Sequence, residues 1–209
     1  MLLDHKSGAD HEILYPYLYA NEIIAYPIVC TTKRTASEKF RGGVSNYYKV
    51  KKELTAICRC HKHELVTTMF DYYAMPSNTP HIDFAEPDIY KRMEAIESAI
   101  NEDIGENNCR FHFSVHEFEG MLFSKPSVFQ VIADEEVVNE IQRVRDTYLT
   151  PEHINNSHTT APSKRLEKLI PNYAKIKNGT IISKETGINI LLEQCQHFNK
   201  WINLLLCGE

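Results

Sequence analysis

The stretch FHFSVHEFEGMLF at residues 111–123 decides the fold. Its first half is apolar and strand-like, and it breaks abruptly into His116, Glu117 and Glu119. A second apolar stretch, LVTTMF at 65–70, ends the same way, running straight into Asp71. Open α/β sheets place their sites at the carboxyl ends of parallel strands. Two such strands lying side by side would therefore gather Asp71, Glu117 and Glu119. Clustered carboxylates repel one another and call for a cation. If strand conformation continues through the motif, Glu117 and Glu119 share one face by the two-residue period; if a helix starts there, they diverge. The plain alternative is that the glutamates cap the following segment, Asp71 opens a turn and His116 is a hydrogen-bonded structural histidine.

Working outward, residues 10–20 (DHEILYPYLYA) can begin a helix at Asp10, with Pro16 expected to kink or end it. IIAYPIVC at 23–30 reads as a strand that Pro27 demotes toward an edge. RGGVSN at 41–46 is a flexible loop, and the Walker pattern is absent. Residues 47–58 read as helix and LVTTMF as strand, followed by the long Pro-punctuated loop 72–87. Ile89, Met93, Ile96 and Ile100 fall at helical spacing. After FHFSV and the acidic turn comes a helix over 134–145. Beyond Tyr148 a Thr- and Asn-rich loop leads to SKRLEKLIP and then to one long helix over 187–206, whose stripe is Ile188, Leu191, Leu192, Cys195, Phe198, Ile202 and Leu205. Strands alternating with helices predict an α/β fold with a parallel sheet flanked by helices, and a C-terminal helical extension. The expected division is an α/β core over 1–148 and a helical extension over 149–209 packed on it, as one domain.

A chain of 209 residues, 43% hydrophobic, fills one core well and leaves little for a second full domain. No apolar stretch has the roughly 18 residues a membrane helix needs, and MLLDHKSGADHE lacks a signal core, so a cytoplasmic protein with no membrane association is expected. Six scattered cysteines predict reduced thiols rather than a disulfide scaffold. The cluster CRCHKH (Cys58, Cys60, His61, His63) invites a zinc reading, but neighbouring ligands do not readily close a tetrahedron.

The net charge of -5 is unevenly spread. Residues 33–52 hold seven basic side chains (Lys33, Arg34, Lys39, Arg41, Lys49, Lys51, Lys52) against Glu38, and residues 83–106 hold eight acids against Lys91 and Arg92. A third segment, 164–177, holds five basic residues against Glu167. Solvated surfaces account for such runs, and phosphate binding is the functional alternative. Asp71, Glu117 and Glu119 offer hard oxygen ligands that suit Mg²⁺ or Mn²⁺ over zinc. Such ions assist phosphodiester chemistry by orienting an attacking water and neutralising phosphate charge.

The motifs TTMFDYYAMP, VHEFEGMLF, TAPSKRL, PNYAKIKNG and CQHFNKWI, in this order, resemble a bacterial RloG-like family related to Toprim domains. The likeness covers nearly the whole chain. It implies a compact parallel α/β fold and Mg²⁺- or Mn²⁺-dependent nuclease chemistry, with Asp71 matching the middle acid of the Toprim pattern and Glu117 and Glu119 the later pair. It further implies that His116 orients a ligand or water, and that Lys164, Arg165 and Lys175 hold phosphate, with Lys164 and Lys175 serving catalysis. Nucleic acid is the implied substrate, and an ABC-type ATPase in a phage-defence module the implied partner. Two positions depart from the pattern. Aligning Gly8 with the family's glycine puts Ser7 at the first-strand metal-binding Glu, with only Asp4, Asp10 and Glu12 nearby to compensate. Asp71 is followed by Tyr72 and Tyr73 rather than a second Asp. The rival expectation is accordingly a subunit that binds nucleic acid or an ATPase partner without cleaving.

Overall fold

The computed structural model describes residues 2–3, 10–29, 46–154 and 160–208. Asp4, Ser7, Gly8, the Asp10 side chain, Cys30, Lys33, Arg34, Lys39, Arg41 and the Gly-Gly pair at 42–43 lie outside the described residues, as does most of the Asn-rich loop. In chain order the elements are β1 (Leu2–Leu3), a π-helical turn (Asp10–Leu14), α1 (Tyr15–Ala20), β2 (Ile28–Val29), α2 (Tyr47–Cys60), β3 (Val66–Asp71) and α3 (Ile89–Ile104). There follow β4 (Cys109–Arg110), β5 (Phe113–Ser114), 3₁₀ segments at Phe118–Ser124 and Pro126–Val131, α4 (Glu135–Asp146), a 3₁₀ turn at Pro151–His153, α5 (Pro162–Leu169), α6 (Lys175–Thr186), α7 (Ile188–Gln194) and α8 (Gln196–Cys207). The chain is mixed α/β, and it divides into two compact units: residues 1–6 with 26–114, and residues 7–25 with 115–209.

The first unit holds the sheet. All its pairings are parallel, in the order β2-β1-β3-β4, with β5 also on β3. Val66 pairs in register with Cys109 and Asp71 with Ser114. Every residue of β3 is buried, which explains its unbroken apolar and threonine sequence. Parallel neighbours need a crossover, and α3 supplies the one from β3 to β4. Its buried face is Ile89, Met93, Ile96, Ile100 and Ile104, the spacing expected of an amphipathic helix. Asp88 caps its start by accepting from the Tyr90 and Lys91 N–H groups. Gly105, at φ +70°, closes its end in a left-handed conformation that costs glycine little. α2 buries Tyr47, Val50, Leu54 and Cys58, and is capped by Asn46.

FHFSV was expected to be one strand; only Phe113–Ser114 of it is, and the ladder is interrupted at Phe111 and His112, between β4 and β5. Phe111 N–H donates to Asn101 Oδ1 at 2.8 Å and Phe113 N–H to Glu97 Oε1 at 2.8 Å. His112 N–H donates to Thr68 Oγ1, which in turn donates to His112 O. Side chains of α3 and β3 thus take backbone bonds that a regular ladder would use, leaving two short strands. The buried aromatic side chains stay together: Phe111 stacks on Phe70 at 5.6 Å and meets Phe113 edge-on at 4.8 Å.

The second unit is helical. The 3₁₀ segment Phe118–Ser124 is buried from Phe118 to Phe123 and is contacted by α4, α5, α6 and α7. Gly120 lies against the 3₁₀ turn at Pro151–His153, where a Cβ would stand 3.3 Å from the Pro151 carbonyl oxygen, a tight contact. The N-terminal turn belongs to this unit as well, with Lys184 pairing to Glu12 at 3.0 Å. The helical run does begin at Asp10, and Pro16 does not end it. A π turn precedes Pro16, and it sits in the first turn of α1, where a missing N–H costs nothing. The single C-terminal helix expected over 187–206 is two helices broken at Cys195, which adopts φ -116°, ψ 94°. Glu152 explains the break. Its buried carboxylate accepts from the His197 and Phe198 N–H groups, each at 3.0 Å, and so fixes a new helix start.

Candidate acidic site

The run HEFEG leaves β5 through a sharp bend rather than as strand or regular α-helix. His116 lies at φ +63°, a left-handed conformation that a residue with a Cβ adopts at a cost, and its side chain is buried. Glu117 is extended at φ -142°, ψ 151°, and Glu119 falls in the first turn of the 3₁₀ segment. Neither of the two alternatives drawn from the sequence holds in full: Glu117 precedes its own helical segment without capping it, yet it does act as a cap elsewhere. Its Oε2 accepts the Ser163 N–H at 3.1 Å, at the first turn of α5. A carboxylate at a helix N-terminus is favoured by both the free N–H groups and the helix dipole.

Glu119 is 2% exposed, far more deeply buried than a carboxylate ordinarily is without compensation. Lys175, the first residue of α6, brings its Nζ to 3.1 Å from Glu119 Oε2. The contact is an ion pair to a half-exposed lysine. Burial pushes the Glu119 carboxyl above its ordinary value, the Lys175 charge pulls it back, and the charge of Glu117 pushes it up again; burial outweighs the lysine. The Tyr173 hydroxyl is buried, and burial, reinforced by the charges of Glu119 and Glu167, raises its pKa well above the usual phenol value. Tyr173 was not singled out by sequence reasoning, although it stands in the motif PNYAKIKNG. Glu117, Glu119 and Lys175 are thus brought together within the second unit.

The remaining candidates have identifiable settings. Asp71 ends β3 in the first unit, buried, with Tyr72 directly after it. Lys164 is half-exposed and pairs with Glu167 at 2.6 Å. Arg165 is occupied locally: its Nε donates to the Thr160 carbonyl at 2.7 Å, its Nη2 to the Tyr148 hydroxyl at 2.9 Å, and its guanidinium lies over the Tyr148 ring. Of the basic segment ending at Lys52, Lys51 pairs with Asp103 of the acidic one, and Arg59, beyond it, pairs with Glu106. In the CRCHKH cluster Cys58 is buried, Cys60 exposed, and His61 lies 3.2 Å from Glu64. Among the described residues, none of its four side chains joins a group of three at metal-binding spacing. Within the first unit, His112 Nδ1 and Glu97 Oε1 lie 3.5 Å apart, both largely buried, an imidazole and a carboxylate of the kind divalent metals accept.

Glu119 gives the stability curve a defined slope. Between its unfolded value of 4.5 and its raised folded value, the folded protein retains a proton that the unfolded chain has released. Stability therefore falls as pH rises through that window. Glu119→Gln removes the titration, so the melting temperature of the variant should decline less than that of the wild type between pH 4.5 and 7. Parallel curves for the two proteins would contradict this.

A parallel α/β unit and a helical unit that buries a glutamate beside a second carboxylate and a lysine define a mixed α/β protein with a buried acidic site. The chain belongs to the family described as Domain of unknown function (DUF4276), which matches residues 7–206. No curated protein and no solved structure matches it. No helix of the described residues is long and apolar enough to cross a membrane.

Proposed function

We propose that this protein is a divalent-metal-dependent phosphodiesterase acting on nucleic acid, of the Toprim type that the RloG-like motifs resemble. The observation that carries the reading is Glu119: a carboxylate held 2% exposed beside Glu117, in a setting that disfavours its charge. A group kept at such cost, beside a half-exposed lysine, suits a site that takes up a further cation. The donors fit Mg²⁺ or Mn²⁺, being hard oxygens. Glu117 and Glu119, both in the second unit, would hold the ion. When bound, the ion supplies charge neutralisation on the phosphate and activation of water. Lys175 would release Glu119 and turn to the phosphate, a movement its long, half-exposed side chain permits. Lys164, equally half-exposed, would give up Glu167 for the same partner. Arg165 supports this segment through Thr160 and Tyr148 and would meet phosphate only with its remaining Nη N–H groups. His116 would orient water or ligand from its strained turn. An ABC-type ATPase partner and a role in phage defence belong to the same proposal, by analogy alone.

One observation favours a second reading. Ser163 N–H already occupies Glu117 and Lys175 already faces Glu119, the arrangement of a site that holds itself together without metal. The protein would then bind nucleic acid or a partner without cleaving. Incubating the purified chain with Mn²⁺ and single- or double-stranded DNA and RNA separates the two. Chelator-sensitive cleavage that disappears in Glu119→Gln is the expected result, and intact substrates under every condition would leave the binding role.

A further inference from the structure

We propose that His112 and Glu97 are the protein ligands of a zinc-class metal site inside the first unit. This inference does not depend on the proposed function, whose oxygen ligands lie in the second unit. His112 stands between β4 and β5 with its side chain 5% exposed, and Glu97 in the middle of α3 with its side chain 13% exposed. His112 Nδ1 and Glu97 Oε1 are 3.5 Å apart. An N–H···O hydrogen bond draws its heavy atoms to roughly 2.9 Å, whereas two donors each about 2.0–2.1 Å from one tetrahedral ion stand about 3.4 Å from each other. The observed separation matches a shared ion better than a hydrogen bond.

The chain around both donors is already fixed. His112 N–H donates to Thr68 Oγ1 at 2.8 Å, and Thr68 Oγ1 donates to His112 O at 2.9 Å, so β3 clamps the histidine on both sides of its Cα. Glu97 Oε1 accepts the Phe113 N–H at 2.8 Å, which aims the carboxylate at the same short stretch of chain. An ionised carboxylate has about four lone-pair positions, so that bond leaves room for an ion. Bonds of this kind around metal ligands hold their geometry. The imidazole moves the preference from Mg²⁺ toward Zn²⁺, and Cu²⁺ accepts the same donors. With Nδ1 as the ligand atom, the ring proton sits on Nε2. Water fills the positions the two side chains leave, and the exposed part of Glu97 gives the ion its approach from solvent. An ion held here would tie α3 to the segment between β4 and β5 and stabilise the folded chain by linkage.

The test titrates Zn²⁺ into the full chain carrying Glu119→Gln, which disables the acidic site of the proposed function, so that the two readings fail separately. Chelator-reversible uptake of Zn²⁺ with a raised melting temperature is expected. Adding Glu97→Gln or His112→Gln should weaken uptake by roughly 10²-fold or more, since even partners outside the ligand shell carry about 10–100-fold. Glu97→Gln keeps an oxygen for the Phe113 N–H and so preserves the backbone contact. Copper-catalysed oxidation of the wild-type chain with ascorbate, followed by peptide mapping, reads the ligand directly if the variants fold poorly. His112 should then be oxidised ahead of the exposed His61 and His63. No Zn²⁺ uptake by the Glu119→Gln chain, uptake unchanged by both substitutions, or oxidation confined to His61 and His63 would overturn the proposal and leave a plain buried histidine–glutamate pair.

Discussion

Replacing Glu152 by alanine is expected to cost about 2–4 kcal/mol of folding stability, the largest single loss for any residue outside the apolar core. The side chain is 3% exposed, and each of its oxygens accepts one backbone N–H from the start of α8. Alanine would leave both donors buried without partners and remove a negative charge from the positive end of a helix. Glu152→Gln should fall between the two, because its carboxamide oxygen accepts one bond while its NH₂ opposes the other donor. A urea melt reads the effect as a lower midpoint with unchanged slope. An alanine variant as stable as the wild type would mean that α8 does not need this cap.

The second large effect concerns chemistry. Under the proposed function, Glu119→Gln should lower Mn²⁺-dependent cleavage by roughly 10²–10³-fold, the scale seen when one fixed electrostatic group is lost from an active site. Glu119→Gln is nearly isosteric and relieves an unfavourable buried charge, so it should fold at least as well as the wild type near neutral pH. Loss of activity with retained stability is therefore the diagnostic pair. A stable Glu119→Gln variant that cleaves at the wild-type rate would remove Glu119 from the mechanism.

The regular elements were legible because their signals are local. LVTTMF became β3, the Ile89-Met93-Ile96-Ile100 spacing became α3, and the helix expected over 134–145 runs from Glu135 to Asp146 with Asp134 as its cap. The parallel α/β class followed from their alternation. What escaped was set by partners distant in sequence. Nothing near Cys195 announces a break in its apolar stripe, because the carboxylate that starts α8 is Glu152, 45 positions before His197. FHFSV looks continuous, and only α3 reveals that Asn101 and Glu97 take its N–H groups. At the site, the sequence marked Glu117, Glu119 and Lys175 individually. It gave no sign that Glu119 and Lys175 pair or that Glu117 binds the start of α5. Arg165 was expected at phosphate from its motif, whereas Tyr148 and Thr160, invisible as partners in the linear chain, occupy much of its donor set.

Calorimetric titration of Mn²⁺ into the wild type and Glu119→Gln, at pH 5 and pH 7.5, tests the central claim that the buried glutamate serves a divalent cation. A metal ligand must be deprotonated, and the Glu119 carboxyl is raised, so binding should be tighter at the higher pH and absent or much weakened in the variant. Wild-type protein that takes up no divalent ion at either pH, or a Glu119→Gln variant that binds as tightly, would contradict it.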